Sequence, residues 1–236
     1  MSDIGTLAVN EIFGPTFQGE GKNIGKPCFF LRLAGCNLAC VWCDTPYAWD
    51  WSRYNVEEEL HRYSIDEVIT QLKKLQRKQN VQINHLVISG GEPMLQQKFL
   101  SILIDRLHDL KWTVEIETAG TVAPISHNNA DQFNVSLKLE NSGNPLKKRR
   151  NENAITAFAI DNRSVFKFVV CDLKDFEEID SLVSTFNLDR VYIMPEGVDT
   201  KSITEHFSLI AQAVIERGYT LTTRLHIQLY GYQRGI

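Results

Sequence analysis

Short apolar runs alternate with helical patterns along most of this chain, and this alternation constrains the fold more than any other feature. Four amphipathic helical patterns occur, and the clearest begins at Ser64 with Glu67 three residues later, which is a capping-box signature. The runs between them have the composition of strands buried in a parallel sheet, and they span residues 29–33, 85–89, 113–117, 133–137, 165–170, 191–195 and 221–227. Repeated βα units predict a parallel sheet covered by helices.

The number of units narrows the architecture. About six βα units are too few for a closed eight-stranded barrel, so we predict an α/β fold with an open, partial parallel barrel. The 236 residues are ample for one core, and we expect a single domain over residues 1–236. Two segments interrupt the pattern and are predicted as loops or insertions near the strand ends. They are residues 47–63, rich in charged and aromatic side chains, and residues 140–153, which contain the basic run 147–150. We expect the basic run to lie in a solvated loop, and the alternative is binding of an anion or a partner.

Composition excludes several classes of protein. A formal net charge of −4 gives no reason to expect nucleic-acid binding. No apolar run reaches the ~18 residues that a membrane span requires. Residues 1–10 have no basic flank and no long apolar run. We therefore predict no signal peptide, and the cytoplasm is the expected compartment.

Three of the five cysteines form a cluster directly after the first strong strand. An odd number of cysteines and the missing export signal argue against a disulfide framework. Cys36, Cys40 and Cys43 can bind three irons of a four-iron cube and leave one iron for an external ligand, because such clusters normally take four cysteines. The alternatives are a structural zinc site, which would need a second cysteine pair, and inert buried thiols. Cys28 and Cys171 are predicted as core residues of the latter kind.

Two motifs resemble those of radical S-adenosylmethionine (SAM) enzymes. The C-x3-C-x2-C spacing with Trp42 before the last cysteine is similar to the signature of that superfamily. Gly90, Gly91 and Glu92 follow the strand at 85–89 and resemble its GGE motif. Glycines permit close backbone approach, and a glutamate accepts charge-assisted hydrogen bonds from an ammonium group. The resemblance implies two cofactors, a [4Fe–4S] cluster with one open iron site and SAM.

Further segments resemble a single family within that superfamily, the 7-carboxy-7-deazaguanine synthases. They are Gln-Gly-Glu-Gly at 18–21, Arg32 on the strand before the cysteines, Asp-Thr at 44–45 and Glu-Thr-Ala-Gly-Thr at 117–121, and the resemblance covers residues 11–236. It implies a Mg²⁺-dependent ring contraction of 6-carboxy-5,6,7,8-tetrahydropterin to 7-carboxy-7-deazaguanine. Ammonia is released, SAM is used catalytically, and the product is a precursor of queuosine.

The resemblance also implies a role for each matching residue. Cys36, Cys40 and Cys43 would hold the cluster, and Thr45 would bind Mg²⁺. The residues implied to contact SAM are Trp42, Asp44, Gly90, Gly91, Glu92, Ser136 and Lys138. The residues implied to contact the pterin are Gln18, Gly19, Glu20, Gly21, Arg32, Ser89, Glu117, Thr118 and His226. Arg32 would bind the pterin carboxylate as a bidentate donor, and His226 is expected on the last strand.

Partners follow from the same resemblance, and alternatives remain. It implies a small-molecule pterin substrate, an electron donor such as flavodoxin and a homodimer, with no membrane or nucleic acid. Leu137 and Ala119 depart from the family pattern. Taken singly, segment 18–21 also fits a polar turn, Thr45 a cap and His226 a core histidine. The alternative enzyme is a glycyl-radical activating enzyme, which would act on a large protein partner. The non-enzymatic alternatives are an iron–sulfur electron carrier and a zinc module.

Overall fold

Nine strands form one sheet in a computed structural model of the chain, which describes residues 5–236. They are β1 (Thr6–Phe17), β2 (Pro27–Leu33), β3 (His61–Ser64), β4 (His85–Gly90), β5 (Thr113–Thr118), β6 (Gln132–Val135), β7 (Ser164–Val170), β8 (Val191–Pro195) and β9 (Thr220–Leu221). Their order is β3-β1-β2-β4-β5-β6-β7-β8-β9, and neighbours from β2 to β9 are parallel. Within the described residues the edge strands β3 and β9 do not pair with each other. The sheet is therefore open, which confirms the predicted partial barrel.

Most of the parallel strands are connected by helices, as the alternating pattern predicts. The helices are α1 (Val56–Glu59), α2 (Ile65–Gln79), α3 (Gln97–Asp109), α4 (Leu146–Arg149), α5 (Glu152–Ala159), α6 (Asp175–Phe186), α7 (Thr200–Arg217) and α8 (Leu225–Tyr230). The predicted capping box begins α2, with Glu67 N–H donating to Ser64 Oγ over 3.3 Å and Ser64 N–H donating to Glu67 Oε2 over 2.7 Å. The connection from β5 to β6 contains no helix. Among the described residues, no helix has both the length and the apolar character needed to cross a bilayer.

Two antiparallel strands are absent from the sequence prediction. β1 pairs with β2 and contains Gly14 and Pro15, where the register between the two strands shifts. These residue types normally indicate a turn, and an irregularity in the ladder accommodates them here. β3 pairs with β1 and lies largely within the segment 47–63 that was predicted as a loop. Residues 1–4 of the N-terminal segment considered for a signal peptide lie outside the described residues.

The last predicted strand, at 221–227, is wrong over most of its length. β9 ends at Leu221, and α8 follows after a short connection, so His226 lies on a helix rather than on a strand. The backbone N–H of Leu225 donates to the carbonyl oxygen of Gly19 over 2.8 Å, which attaches the start of α8 to the segment after β1. This tertiary contact outweighs the strand-like composition of the run.

The segment 140–153 also differs from the predicted solvated loop. It contains α4 and the first residues of α5. Arg149 from its basic run is buried and pairs with Glu178 of α6, which also binds Arg150 at 3.0 Å. Lys147 and Lys148 are exposed, so the prediction of solvated side chains is correct only for them.

The core lies between the sheet and its helices. Fully buried Leu31 of β2 belongs to one apolar cluster with Ile65 and Leu72 of α2. Cys28, predicted as a core thiol, is fully buried, whereas Cys171 is only half-buried just after β7. This packing fixes the carboxyl ends of the parallel strands at one edge, and the loops that follow them carry the candidate functional residues.

Candidate active site

A cavity of about 490 Å³ opens at the carboxyl ends of the parallel strands. Most of the residues singled out in the sequence line it, namely Gln18, Gly19, Glu20, Arg32, Cys36, Cys40, Trp42, Cys43, Asp44, Thr45, Ser89, Gly90, Gly91, Glu117, Thr118, Ser136, Lys138 and His226. Gly21 and Glu92 are buried behind its wall. Residues 232–236 of the C-terminal tail also line the cavity. The fold thus collects residues from the whole length of the chain around one space.

The thiols of Cys36, Cys40 and Cys43 face this cavity from the loop after β2. All three side chains are free and half-buried. Burial raises the pKa of Cys36 to about 12, and it raises the pKa of Cys40 as well. Because metals bind thiolates, a bound metal must displace these protons. Each of the three sulfurs accepts one N–H hydrogen bond from the described residues.

The glycines at the end of β4 bring its backbone against the cysteine loop. A Cβ atom on Gly90 would lie 2.2 Å from the carbonyl oxygen of Leu33, and one on Gly91 would lie 1.9 Å from that of Gly35. The N–H of Gly91 donates to Leu33 over 3.0 Å, and the N–H of Glu92 donates to Gly35 over 2.8 Å. Only glycine permits this approach, so the Gly-Gly pair fixes the distance between the two loops.

Glu92 holds the turn together from behind the cavity wall. Only 1% of the residue is exposed. Its carboxylate accepts hydrogen bonds from the N–H of Met94 at 2.9 Å, from the Thr118 hydroxyl at 2.7 Å and from the N–H of Ala119 at 2.7 Å. Burial raises the pKa of Glu92, and these donors act in the opposite direction. The carboxylate thereby ties the end of β4 to the end of β5, and its contact with SAM stays a prediction.

Trp42, Ser136 and Lys138 form a polar and aromatic group on one side of the cavity. The ammonium of Lys138 donates to both the carbonyl and the hydroxyl oxygen of Ser136 at 2.8 Å. It also lies 5.6 Å from the centre of the Trp42 ring, within the range of a cation–π contact. Trp42 in turn donates its indole N–H to the carbonyl oxygen of Asn141 over 3.1 Å. A fixed cation can bind a carboxylate, and an aromatic face can stack on an adenine ring. SAM contains both of these groups.

Arg32 presents a guanidinium at the cavity edge. Its Nε donates to Glu11 Oε1 over 2.7 Å, and 14% of the side chain is exposed. The guanidinium carbon lies 5.6 Å from the ring centre of Phe13 and 6.0 Å from that of Tyr47. Among the hydrogen bonds of residues 5–236, only Nε of Arg32 has a partner, which leaves both terminal nitrogens able to bind a carboxylate. Binding of a pterin carboxylate by Arg32 stays a prediction.

Glu20 lies between two buried cations. Its Oε1 accepts from Arg224 Nε over 3.1 Å, and its Oε2 pairs with the ammonium of Lys167. Lys167 and Arg224 are each about 5% exposed. Burial alone would raise the pKa of Glu20, but the charges of Lys167 and Arg224 hold it well below its usual range. Glu20 is therefore a carboxylate at any physiological pH, able to accept hydrogen bonds from a ligand.

Asp44 and His226 adjoin the same arginine. Ligand atoms of Glu20, Asp44 and His226 lie within 4.8 Å of one another, which is close enough to hold a metal ion. Arg224 already pairs with both carboxylates, so the group is neutralised by a protein cation. Burial lowers the pKa of His226. A Cβ on Gly19 would lie 2.0 Å from His226 Nδ1, so the glycine in this segment makes room for the imidazole.

Gln18 and Ser89 both bind Glu117 at the end of β5. Gln18 Nε2 donates to Glu117 Oε1 over 3.1 Å, and Ser89 Oγ donates to Oε2 over 2.9 Å. Burial raises the pKa of Glu117, and nearby carboxylates act in the same direction. Gly21 lies outside this group, with its N–H donating to Thr222 Oγ1 over 3.1 Å. The charge of Lys167 opposes this shift, and the pKa of the Glu117 carboxyl group still lies above its usual value.

Comparison with known proteins decides the family. A family model described as the radical SAM superfamily matches residues 31–154, which is more than half of the chain. The 7-carboxy-7-deazaguanine synthase of Pyrobaculum aerophilum is 33% identical over 245 residues, and the match covers 100% of both chains. The chain belongs to the 7-carboxy-7-deazaguanine synthase family of radical SAM proteins. Its cysteine loop and Gly-Gly-Glu turn both lie within the matched region.

Other relatives and solved structures agree with this membership. The 7-carboxy-7-deazaguanine synthase of Bacillus subtilis is 28% identical, with 98% of both chains covered. The crystal structure of QueE from Escherichia coli superposes with a TM-score of 0.70 at 27% identity, covering 94% of this chain and 95% of that one. The structure of Streptococcus suis SuiB reaches a TM-score of 0.51 at 14% identity and shows a shared fold alone. A glycyl-radical activating enzyme is not favoured, because the relatives from Pyrobaculum aerophilum and Bacillus subtilis are named 7-carboxy-7-deazaguanine synthase and match over nearly their full length.

Enzymes of the 7-carboxy-7-deazaguanine synthase family use a [4Fe–4S] cluster, SAM and Mg²⁺, and the donors around the cavity fit all three. Three thiols on one loop supply sulfur ligands for three irons. Gly90 and Gly91 line the cavity beside the cysteine loop, so their backbone groups can contact SAM. Thr45 and Asp44 offer hard oxygen atoms of the kind that Mg²⁺ prefers. Thr45 Oγ1 lies 3.7 Å from Cys43 Sγ, so an ion held there would adjoin the cluster loop.

Sequence reasoning missed two deeply buried cations in this synthase-family pocket, Lys167 and Arg224. Lys167 lies in the otherwise apolar strand β7, and Arg224 lies in the run that was predicted as a strand. The signal for Lys167 is the same as for Arg32, a basic side chain within a buried run, where an unpaired charge would be costly. Arg224 carries a similar signal in the run 221–227, but its partners Glu20 and Asp44 are distant in sequence and could not be named from it.

Proposed function

We propose that this chain converts 6-carboxy-5,6,7,8-tetrahydropterin to 7-carboxy-7-deazaguanine with release of ammonia, in the synthesis of queuosine precursors. One observation carries the proposal. Three free thiols and the guanidinium of Arg32 line the same cavity of about 490 Å³, which is the size of small-ligand sites. A carboxylated pterin bound through Arg32 would therefore lie in the same enclosed space as the cofactors. A protein substrate, as in the glycyl-radical alternative, has no comparable use for this arginine.

The chain's own residues hold and orient the reactants. When bound, the cluster, SAM and Mg²⁺ supply a 5′-deoxyadenosyl radical and a Lewis acid for the rearrangement. Cys36, Cys40 and Cys43 hold the cluster, and Thr45 with its neighbour Asp44 supplies oxygen atoms to Mg²⁺. The residues that orient SAM are Trp42, Gly90, Gly91, Ser136 and Lys138. Their contacts described above keep these groups rigid before the ligand arrives.

The substrate side uses two carboxyl groups whose pKa values are shifted in opposite directions. Glu20, held ionised between Lys167 and Arg224, accepts hydrogen bonds from the amino edge of the pterin. Glu117, whose pKa burial raises, can carry the proton that a pterin oxygen or nitrogen requires as acceptor. Arg32 binds the pterin carboxylate and so fixes which ring carbon faces SAM.

We also infer the setting in which the chain works. Residues 1–236 form one radical SAM domain, because a single sheet joins the described elements from β1 to β9. Reduced thiols suited to a cluster support a cytoplasmic location. The family resemblance supports a homodimer and an electron donor such as flavodoxin. Analytical ultracentrifugation tests the first of these partners, and turnover with reduced flavodoxin tests the second.

Anaerobic turnover tests the proposed function. The reconstituted protein is incubated with the carboxypterin, SAM, Mg²⁺ and a reductant, and the product is followed by its ultraviolet absorption and mass. We expect 7-carboxy-7-deazaguanine and ammonia, with no product from Cys40→Ala, which should lose the cluster. A protein with a fully loaded cluster that leaves the pterin unchanged would refute the assignment.

A further inference from the structure

Each sulfur of the cysteine loop accepts one N–H hydrogen bond, and two of the donors come from outside that loop. Within the loop, the backbone N–H of Leu38 donates to Cys36 Sγ over 3.4 Å. Asn144 Nδ2 lies 3.2 Å from Cys40 Sγ, and Trp49 Nε1 lies 3.3 Å from Cys43 Sγ. The two outside donors belong to segments 47–63 and 140–153, which interrupt the βα pattern and have no role in the mechanism above.

The orientation of the Asn144 amide is fixed by its surroundings. Its Oδ1 accepts the backbone N–H of Ala39 over 2.9 Å. A backbone N–H can only donate, so the carbonyl oxygen must face Ala39 and the NH₂ group must face Cys40. Asn144 is only 6% exposed, and its NH₂ also lies 3.2 Å from Ser142 Oγ. The amide is therefore a buried, pre-oriented donor to the sulfur.

The segment around Asn144 is attached along the cysteine loop. The carbonyl oxygen of Ser142 accepts the N–H of Val41 over 3.0 Å. A Cβ on Gly143 would lie 2.7 Å from Val41 Cγ1, so the glycine lets the two loops approach. Residues 142–144 thus contact the chain on both sides of Cys40.

Trp49 is held by the backbone at the other end of the loop. The carbonyl oxygen of Ala48 accepts the N–H of Gly35 over 2.7 Å, and the N–H of Trp49 donates to Pro46 over 3.1 Å. An indole N–H can only donate, so its hydrogen points to a sulfur that can only accept once the thiol is deprotonated. The half-buried ring also covers one side of Cys43.

We propose that Trp49 and Asn144 are positioning residues that set the reduction potential of the cluster through N–H···S hydrogen bonds to Cys43 and Cys40. The inference rests on the proposed function, because it requires the cluster. When the cluster takes up one electron from an external reductant, negative charge on its sulfur ligands increases. N–H donors stabilise that charge, so they favour the reduced cluster and raise its potential.

The experiment compares midpoint potentials of anaerobically reconstituted variants, measured by redox titration with detection by electron paramagnetic resonance. Trp49→Phe keeps an apolar aromatic ring at this position and removes the N–H donor. Asn144→Asp keeps an oxygen for Ala39 and replaces the donor with a second oxygen. The matched controls are Trp51→Phe and Asn129→Asp, since both residues lie outside the hydrogen bonds to the three sulfurs.

We expect a shift to more negative potential in Trp49→Phe, which changes no charge. A larger shift is expected in Asn144→Asp, where the new carboxylate adds its charge to the loss of the donor, and both controls should stay at the parent value. A parent-like potential in Trp49→Phe would overturn the role of Trp49, and a parent-like potential in Asn144→Asp would overturn that of Asn144. A midpoint potential does not depend on the loaded fraction, so a variant that retains little iron is still informative. Absence of any four-iron cluster in the parent protein would overturn the proposed function as well, whereas unchanged potentials in an active parent would overturn this inference alone.

Discussion

Single buried charges define what the cavity can bind. Arg32 keeps two guanidinium nitrogens for a ligand because Glu11 takes only its Nε. Glu20 is kept ionised by Lys167 and Arg224, so an anionic acceptor lies in the same pocket as a cationic donor. This combination suits a ligand with a carboxylate at one end and hydrogen-bond donors at the other, as in a carboxypterin.

Replacing Arg32 by Ala should weaken binding of the pterin and leave reductive cleavage of SAM intact. A hydrogen bond between charged groups contributes ~1.5–3 kcal/mol, so the affinity should fall about ten- to a hundredfold. Binding is measured by anaerobic calorimetry, and SAM cleavage by release of 5′-deoxyadenosine. Arg106→Ala, on the outer face of α3, is the control. An unchanged pterin affinity would reject the role given to Arg32.

Replacing Lys167 by Met should destabilise the fold in a pH-dependent manner. Removing one member of a buried ion pair costs ~3–5 kcal/mol when the other charge is left uncompensated. Arg224 still pairs with Glu20 in this variant, so we expect a loss below that range. The folded-state pKa of Glu20 lies below its ordinary value of 4.5, so the pair stabilises the fold above that pH and loses this effect as the pH falls below it. Denaturant unfolding at pH 7 and at low pH measures the difference, and exposed Lys147→Met is the control. Equal unfolding midpoints for the two variants at pH 7 would contradict this.

The site residues that could be predicted from sequence share one property, because each belongs to a short motif of residues close together in the chain. The cysteine spacing and the Gly-Gly-Glu turn are readable because their partners lie within a few positions or belong to a recognised motif. Asn144 acts on Cys40, 104 positions away. Arg224 acts on Asp44 and Glu20, which are 180 and 204 positions away. Trp49 is near Cys43 in the chain but belongs to no recognised motif. Such contacts depend on the folded chain, so residue type alone does not reveal them.

At the scale of elements, the turn after β4 and the cysteine loop after β2 form one unit. The two strands are parallel neighbours, with Leu33 opposite Gly90. The glycines then allow the loops that follow to touch without side chains between them. The position of the cluster relative to the SAM site is therefore set by backbone contacts.

Replacing Gly91 by Ala should disturb both loops. The new Cβ would lie 1.9 Å from the carbonyl oxygen of Gly35, so one of the loops must move. We expect a lower iron content after reconstitution and weaker SAM binding, measured by iron analysis and by equilibrium dialysis. Leu95→Ala, an exposed position in the same connection, is the control. Parent-like iron content together with parent-like SAM affinity would show that the contact is unimportant.

Secondary-structure prediction was correct for strands whose apolar sequence pattern agrees with their buried position in the sheet. The interior parallel strands were predicted within a few residues, because they are largely buried and their sequences are rich in apolar and β-branched residues. β1 was missed because Gly14 and Pro15 interrupt it, and 221–227 was wrong because α8 is held by Gly19. Both failures lie at irregularities that bring residues to the cavity.

At the scale of the whole molecule, the C-terminal tail connects the two ends of the chain. Arg234 binds Glu59 at 2.6 Å and Glu11 at 3.2 Å, and it lies 4.0 Å from the ring centre of Tyr47. The hydroxyl of Tyr232 donates to the carbonyl oxygen of Asp44 over 2.8 Å. The tail thereby forms a wall of the cavity beside Arg32, which shares Glu11 with Arg234.

Replacing Arg234 by Ala should raise KM for the pterin and leave kcat nearly unchanged. Partly exposed pairs of this kind contribute up to ~1 kcal/mol, which corresponds to about a fivefold change. Steady-state kinetics measures both constants, and Arg234→Lys should recover part of the loss. A fall in kcat with an unchanged KM would contradict a role in forming the substrate pocket.

The open sheet was predictable because the alternation of βα patterns is a property of the entire chain. Its two antiparallel strands were not, since β3 is a short exposed edge with no apolar pattern. The closure of the cavity by α8 and the tail also escaped prediction, because it depends on ion pairs between the first and last segments.

The central claim is that Cys36, Cys40 and Cys43 hold a four-iron cluster whose remaining iron binds SAM. Electron paramagnetic resonance of the anaerobically reconstituted, reduced protein tests it directly, with and without SAM. We predict the spectrum of a reduced four-iron cluster, and a clear change in that spectrum when SAM is added. A cluster spectrum that SAM leaves unaltered, or full iron content in Cys40→Ala, would contradict the claim.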